Sequence, residues 1–164
     1  MMMSIKYFTR LLLLGLIFHT PYTLGFSGYL FVEVRGEVLA KPCSINNGRA
    51  IEVDFGDVMT TRIEGDLYKQ PLEYEVSCVG GGKPNLTLFV DGTPSTFDQR
   101  SLKTDVDGLA VLFKAGTEDL PIKKKRPFNL DTPPKLFAVL VKQSGVNLPA
   151  RKFTANATLK VEYQ

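Results

Sequence analysis

The chain is 164 residues long, 44% hydrophobic and 23% charged, with 20 Lys and Arg against 17 Asp and Glu. That composition suits one globular domain with a single core and excludes wholesale disorder. It contains no Trp, one His and two Cys, which is too few cysteines for a four-cysteine zinc site.

Residues 1–10 carry Lys6 and Arg10 and no acid, and residues 11–18 read LLLLGLIF. A basic start followed by a short apolar run is the layout of a secretory signal. The run is well short of the ~20 residues that cross a bilayer, so no stable membrane insertion is expected. Pro21 ends it, and cleavage is placed near Gly25; a buried N-terminal helix is the alternative. With residues 1–25 go Lys6, Arg10 and His19, and the excess of positive charge nearly vanishes. No nucleic-acid partner is therefore expected. A chain without histidine also cannot build a Ser-His-Asp or Cys-His centre, or a His-ligated metal site. No cofactor is expected.

In an exported chain, two cysteines are most simply one disulfide, Cys43–Cys78, with two free thiols as the alternative. The chain-entropy model gives such a loop roughly 4 kcal/mol.

Strand patterns follow one another along the rest of the chain. Leu30, Val32 and Val34 alternate with Phe31, Glu33 and Arg35; Ile51, Val53 and Phe55 alternate next. Leu72, Tyr74, Val76 and Cys78 alternate with Glu73, Glu75 and Ser77. Residues 86–90, 109–113 and 136–141 are more continuously apolar, as central strands are. Phe153, Ala155, Ala157, Leu159, Val161 and Tyr163 then alternate without a break. Turn signals separate these runs: Asn46-Asn47-Gly48, residues 80–84, Asp91-Gly92, Asp107-Gly108 and Ser144-Gly145. No 3.6-residue stripe persists over three turns. The pattern predicts an all-β sandwich in one domain.

The candidate chemistry is sparse. Asp105, Asp107 and Gly108 lack the further ligands of a calcium loop and are read as a solvated turn. The run Lys123 to Arg126 is bracketed by Pro121 and Pro127 and is read as a solvated basic loop. No aromatic residue interleaves it, so it offers no stacking platform for single strands.

Three features belong together. Arg35-Gly36-Glu37-Val38 leads to Lys41-Pro42-Cys43-Ser44-Ile45-Asn46-Asn47-Gly48; Ile51-Glu52-Val53-Asp54-Phe55-Gly56 follows, then the strand ending at Cys78; the alternating segment to Tyr163 closes the chain. This arrangement resembles the pilin subunits of the chaperone–usher pathway, most closely the minor or tip-adaptor subunits of P-type pili. The resemblance implies an incomplete immunoglobulin-like sandwich that lacks its last strand. It divides the chain into a signal (1–25), an N-terminal donor-strand extension (26–36) and a pilin domain (37–164). Phe26, Gly28, Leu30, Val32 and Val34 would be the donor residues. Phe153, Ala155, Ala157, Leu159, Val161 and Tyr163 would form the strand that meets the chaperone. The implied partners are a periplasmic chaperone, an outer-membrane usher, and neighbouring pilins or a tip adhesin. The implied location is the cell-surface fimbrium, reached through the periplasm. A secreted carbohydrate-binding sandwich that is never assembled into a fibre is the competing expectation, and an enzyme is not expected.

Overall fold

A computed structural model describes residues 30–37, 43–80 and 84–164. The chain divides into two units, Met1–Val38 and Leu39–Gln164. Of the first unit, residues 30–37 take no regular secondary structure and are exposed throughout. The alternation at 30–34 is therefore not part of a paired strand. Phe26, Gly28 and the signal segment lie outside the described residues.

Among its described residues, the second unit is built from β-strands, with one short 3-10 turn at Asn46–Gly48. Its strands are β1 (Cys43–Ile45), β2 (Gln70–Leu72), β3 (Val76–Cys78), β4 (Asn85–Gly92), β5 (Leu102–Lys103), β6 (Leu109–Ala115), β7 (Glu118–Leu120), β8 (Arg126–Asn129), β9 (Leu136–Lys142) and β10 (Ala157–Tyr163). One sheet has the order β10-β4-β8, a second β2-β9-β6-β5 with β7 also on β6, and β1 pairs with β3 as a separate ribbon. Every pairing is antiparallel.

The two larger sheets enclose the core. β4 contributes Leu88 and Val90; β6 contributes Leu109, Val111, Phe113 and Ala115; β9 contributes Leu136, Ala138 and Leu140. Each set has the two-residue spacing that puts side chains on one face of a strand. β4, β6 and β9 are also the longer, more apolar runs, because both of their faces are covered. Gly92 ends β4 where space is shortest: a Cβ there would lie 2.5 Å from Leu102 Cδ1. The turn into β6 is tied by Thr104, whose buried Oγ1 accepts from Val106 N–H and lies 2.9 Å from the Leu109 carbonyl oxygen. Gly108 completes that turn at φ +80°, a conformation that L-residues with side chains rarely adopt.

Three sequence expectations need correction. The run 72–78 is not one strand: it breaks into β2 and β3, because β2 pairs β9 and β3 pairs β1. The run 153–163 forms paired strand only from Ala157, since β4 ends opposite it at Gly92. The basic run is not all loop, for Arg126 begins β8 opposite Leu88.

Cys43 and Cys78 face each other in the β1–β3 register and are disulfide-bonded, with their Cα atoms 4.0 Å apart. The Tyr163 hydroxyl lies 3.2 Å from Cys43 Sγ. A disulfide sulfur carries no hydrogen, so the phenol is the donor. This contact sets the end of β10 beside the ribbon.

Candidate functional site: an open apolar groove

Two extended segments run beside the core outside any sheet among the described residues. Along the first, Ile51, Val53 and Phe55 are half-buried while Glu52, Asp54 and Gly56 are exposed, the alternation of a strand. Yet the segment is in no sheet among the described residues. Along the second, Phe153 and Ala155 are half-buried between exposed Lys152, Thr154 and Asn156 before β10 begins. Among the described residues β10 itself is an edge strand, bonded to β4 on one side only.

A groove opens between these two walls. Its upper part holds about 690 Å³ and is floored by Val90, Leu102, Val111, Phe113 and Ala138 from the core. Its lower part holds about 650 Å³ over Ile63, Val106, Leu109 and Leu148. Val53, Phe55 and Phe153 line both parts, so the two are continuous. The Phe55 and Phe153 rings stand 5.9 Å apart, centroid to centroid, and tie the walls together midway. Aromatic pairs at that spacing are favourable in tilted arrangements.

The second wall is anchored from below by Asp105. Its carboxylate accepts the Thr154 N–H at 2.6 Å and an Arg151 guanidinium N–H at 3.3 Å. Its own N–H donates to the Thr154 carbonyl at 3.1 Å. Asp105 lies in an exposed turn, as read from sequence, and is in addition a clamp. No local signal reveals this, because its partners lie more than forty residues away. Among the described residues, no group of three His, Cys, Asp or Glu could hold a metal.

Other charges belong to the sheet surfaces. Lys160 bonds Asp91 at 2.5 Å, which holds the Asp91 carboxyl below the usual carboxylate range. Lys125 bonds Glu162 at 2.5 Å, and both lysines lie within 6 Å of the Phe89 ring. Tyr74 donates to the Pro134 carbonyl, and burial pushes its phenol up to about 12.

The structure thus brings the expected residues of the last segment to one place, but unequally. Phe153, Ala155, Leu159 and Val161 pack on the core. Ala157 lines the groove at its rim, and Tyr163 turns to the disulfide. The first wall and the floor were not singled out as a site by the sequence, because an alternating strand looks the same with or without a neighbour. The groove has what strand addition requires: a missing position between two extended backbones, over an apolar floor.

A family model described as "Fimbrial protein" matches residues 32–164. The uncharacterized fimbrial-like protein YfcQ of Escherichia coli is 31% identical over 140 residues, 81% of this chain and 86% of that relative. The minor fimbrial protein PrsF of Escherichia coli is 34% identical over 47 residues, 29% of this chain and 28% of that relative. Among solved structures, the P pilus adaptor subunit PapF matches with a TM-score of 0.57 at 20% identity, covering 75% of this chain and 96% of that one. The P pilus rod subunit PapA also matches with a TM-score of 0.57, at 24% identity, covering 82% of this chain and 100% of that one.

Proposed function

The chain belongs to the fimbrial protein family, and on that premise we propose that it is a minor subunit of a chaperone–usher fimbria, of the tip-adaptor kind. The family is one of structural fibre subunits, not of enzymes. One observation carries the reading: the continuous apolar groove between the segment 51–55 and the wall formed by 153–156 and the edge strand β10. It is the gap of an incomplete immunoglobulin-like sandwich.

In this reading residues 1–25 direct export and are removed. A periplasmic chaperone then covers the groove, meeting the wall that includes Phe153, Ala155, Ala157, Leu159, Val161 and Tyr163. At the outer-membrane usher, the arm of another subunit takes the place of the chaperone. The extension 26–36 of this chain goes in turn into a neighbouring pilin or a tip adhesin. Leu30, Val32 and Val34 support a donor role, being 75–88% exposed on one face of an unpaired segment. Buried against a groove floor, they would be stabilised by the hydrophobic effect. The adaptor placement is supported by the stretch shared with PrsF. The assembled protein would lie on the cell surface.

The test is to graft residues 26–36, through a short linker, after Gln164 of the chain 26–164. The fused chain should be monomeric and melt cooperatively, whereas the unfused chain should aggregate through its open edge. An unfused chain that stays monomeric and melts cooperatively above ~60 °C, as complete domains do, would overturn the reading.

A further inference from the structure

We propose that the basic loop at 123–125 and the outer face of the β10-β4-β8 sheet form a docking surface for an acidic polysaccharide, one that carries sulfate or carboxylate groups along its chain. The groove opens on the inner side of β10, where Leu159 and Val161 pack on the core, whereas Lys160 and Glu162 point outward. The proposal therefore does not depend on what fills the groove.

The sheet face supplies an apolar pad under cations. Phe89 is 9% exposed, and the Lys125 and Lys160 ammoniums stand 5.5 and 5.8 Å from its ring centre. Each lysine is also bonded to an acid, Lys125 to Glu162 and Lys160 to Asp91. Arg126 is bonded to Glu118. These three pairs balance, so the surplus of charge comes from Lys123 and Lys124. Both are exposed, and neither has an ion pair or a side-chain hydrogen bond among the described residues. Lys123 lies close enough to Asp91, and Lys124 to Glu118, to help hold those carboxyls low. Toward the second sheet the balance reverses, for Arg100 is shared by Asp98 and Asp119. A polyanion is thereby directed to the sheet side of the loop.

The loop presents these lysines from a fixed backbone. Ile122 is buried in the core, and its N–H donates to the Arg100 carbonyl at 3.0 Å. The Lys123 N–H donates to the Val90 carbonyl at 2.7 Å, and the Lys124 N–H to that of Pro121 at 3.1 Å. Lys123 takes φ +64°, in the left-handed region. Apart from Asn46 and Asn47, of a type that tolerates this region, no other residue with a side chain adopts it among the described residues. Glycine would close this turn without strain. A strained position that keeps a free cation is the mark of a side chain retained for what it binds.

The chemistry narrows the partner. Lysine ammoniums are rotatable point charges, and the one guanidinium of the run is occupied by Glu118, so no planar fork is free for bidentate recognition. Anions spread along a flexible chain fit such a surface. Phe89 is covered, which leaves nucleic-acid bases no ring to stack on. No large exposed apolar side chain stands on this face among the described residues to enter a bilayer.

The experiment uses the chain as purified from the periplasm, with any partner it carries, and measures binding to immobilised heparin at ~50 mM salt. Lys123→Glu with Lys124→Glu should weaken binding roughly tenfold, and Lys123→Gly about threefold without lowering the melting midpoint. A matched control, Arg62→Glu with Lys103→Glu, changes the net charge equally at exposed sites elsewhere and should stay within about twofold of wild type. At ~1 M salt, where screening extends about 3 Å, binding should vanish. Equal losses in the loop variant and the control would overturn the proposal, as would wild-type binding by Lys123→Gly. Tighter binding to phosphatidylglycerol vesicles than to heparin would overturn it too, in favour of a membrane surface, and equal binding to neutral dextran would remove the role of charge.

Discussion

Replacing Val32 by lysine tests the arm and its acceptor together. Val32 is 75% exposed, flanked on its face by Leu30 and Val34 at 88% each. Burying a whole aliphatic side chain is worth about 1.5–3 kcal/mol, so covering the wet three-quarters of Val32 stabilises the joined state by about 1–2 kcal/mol. Lysine forfeits that gain and points an ammonium at the floor. Val90, Leu102, Val111, Phe113 and Ala138 offer it no carboxylate. An unpaired buried charge costs several kcal/mol more, even after the chain relaxes around it. A combined loss of about 4 kcal/mol lowers the exchange equilibrium close to a thousandfold. Val32→Ala, which removes only apolar surface, should cost several-fold. The assay mixes a purified donor complex with an acceptor complex and follows the joined product by native electrophoresis. Because residue 32 lies outside the unit Leu39–Gln164, the variant should still fold and accept an arm from another subunit. Exchange by Val32→Lys at the wild-type level would refute the reasoning, and so would a Val32→Lys chain that cannot fold.

Three further outcomes follow from the packing and the titrating groups. Gly92→Ala should destabilise the domain by about 1–3 kcal/mol, read as a lower midpoint in denaturant, because the new Cβ drives Leu102 from a packed position. Replacing Cys43 and Cys78 together by alanine should cost roughly 4 kcal/mol by the chain-entropy model, and should also leave the Tyr163 hydroxyl without its sulfur contact; unfolding of oxidised, reduced and mutant chains measures it. Tyr74 should titrate near 12 rather than 10, as followed by ultraviolet absorbance of the phenolate. The raised value reflects burial of the neutral phenol, so its contribution is complete below pH 10 and is lost as pH rises from 10 toward 12. Tyr74→Phe should remove that alkaline step.

The sequence by itself determined the class of the fold, its disulfide and its boundaries of composition. Period-two alternation at 51–55 and around β10, and continuous apolar runs at β4, β6 and β9, are local consequences of which strand faces are covered. Two cysteines behind an export-like leader had one simple pairing, and the register of β1 against β3 provides it. The candidate last strand was legible too, because its side chains alternate whether or not its backbone is paired. What tertiary structure decided was which backbones lack a neighbour. Residues 51–55 and 153–156 read like any other strands, and only the arrangement of the sheets leaves them as two walls with a gap between them. The same holds for Asp105, whose partners Arg151 and Thr154 are distant in sequence, and for the split of 72–78 between two sheets. Alternation records how each side chain is divided between water and core. Hydrogen-bond partnership depends on which other segment lies 4.8 Å away, and that is set by the packing of the whole chain.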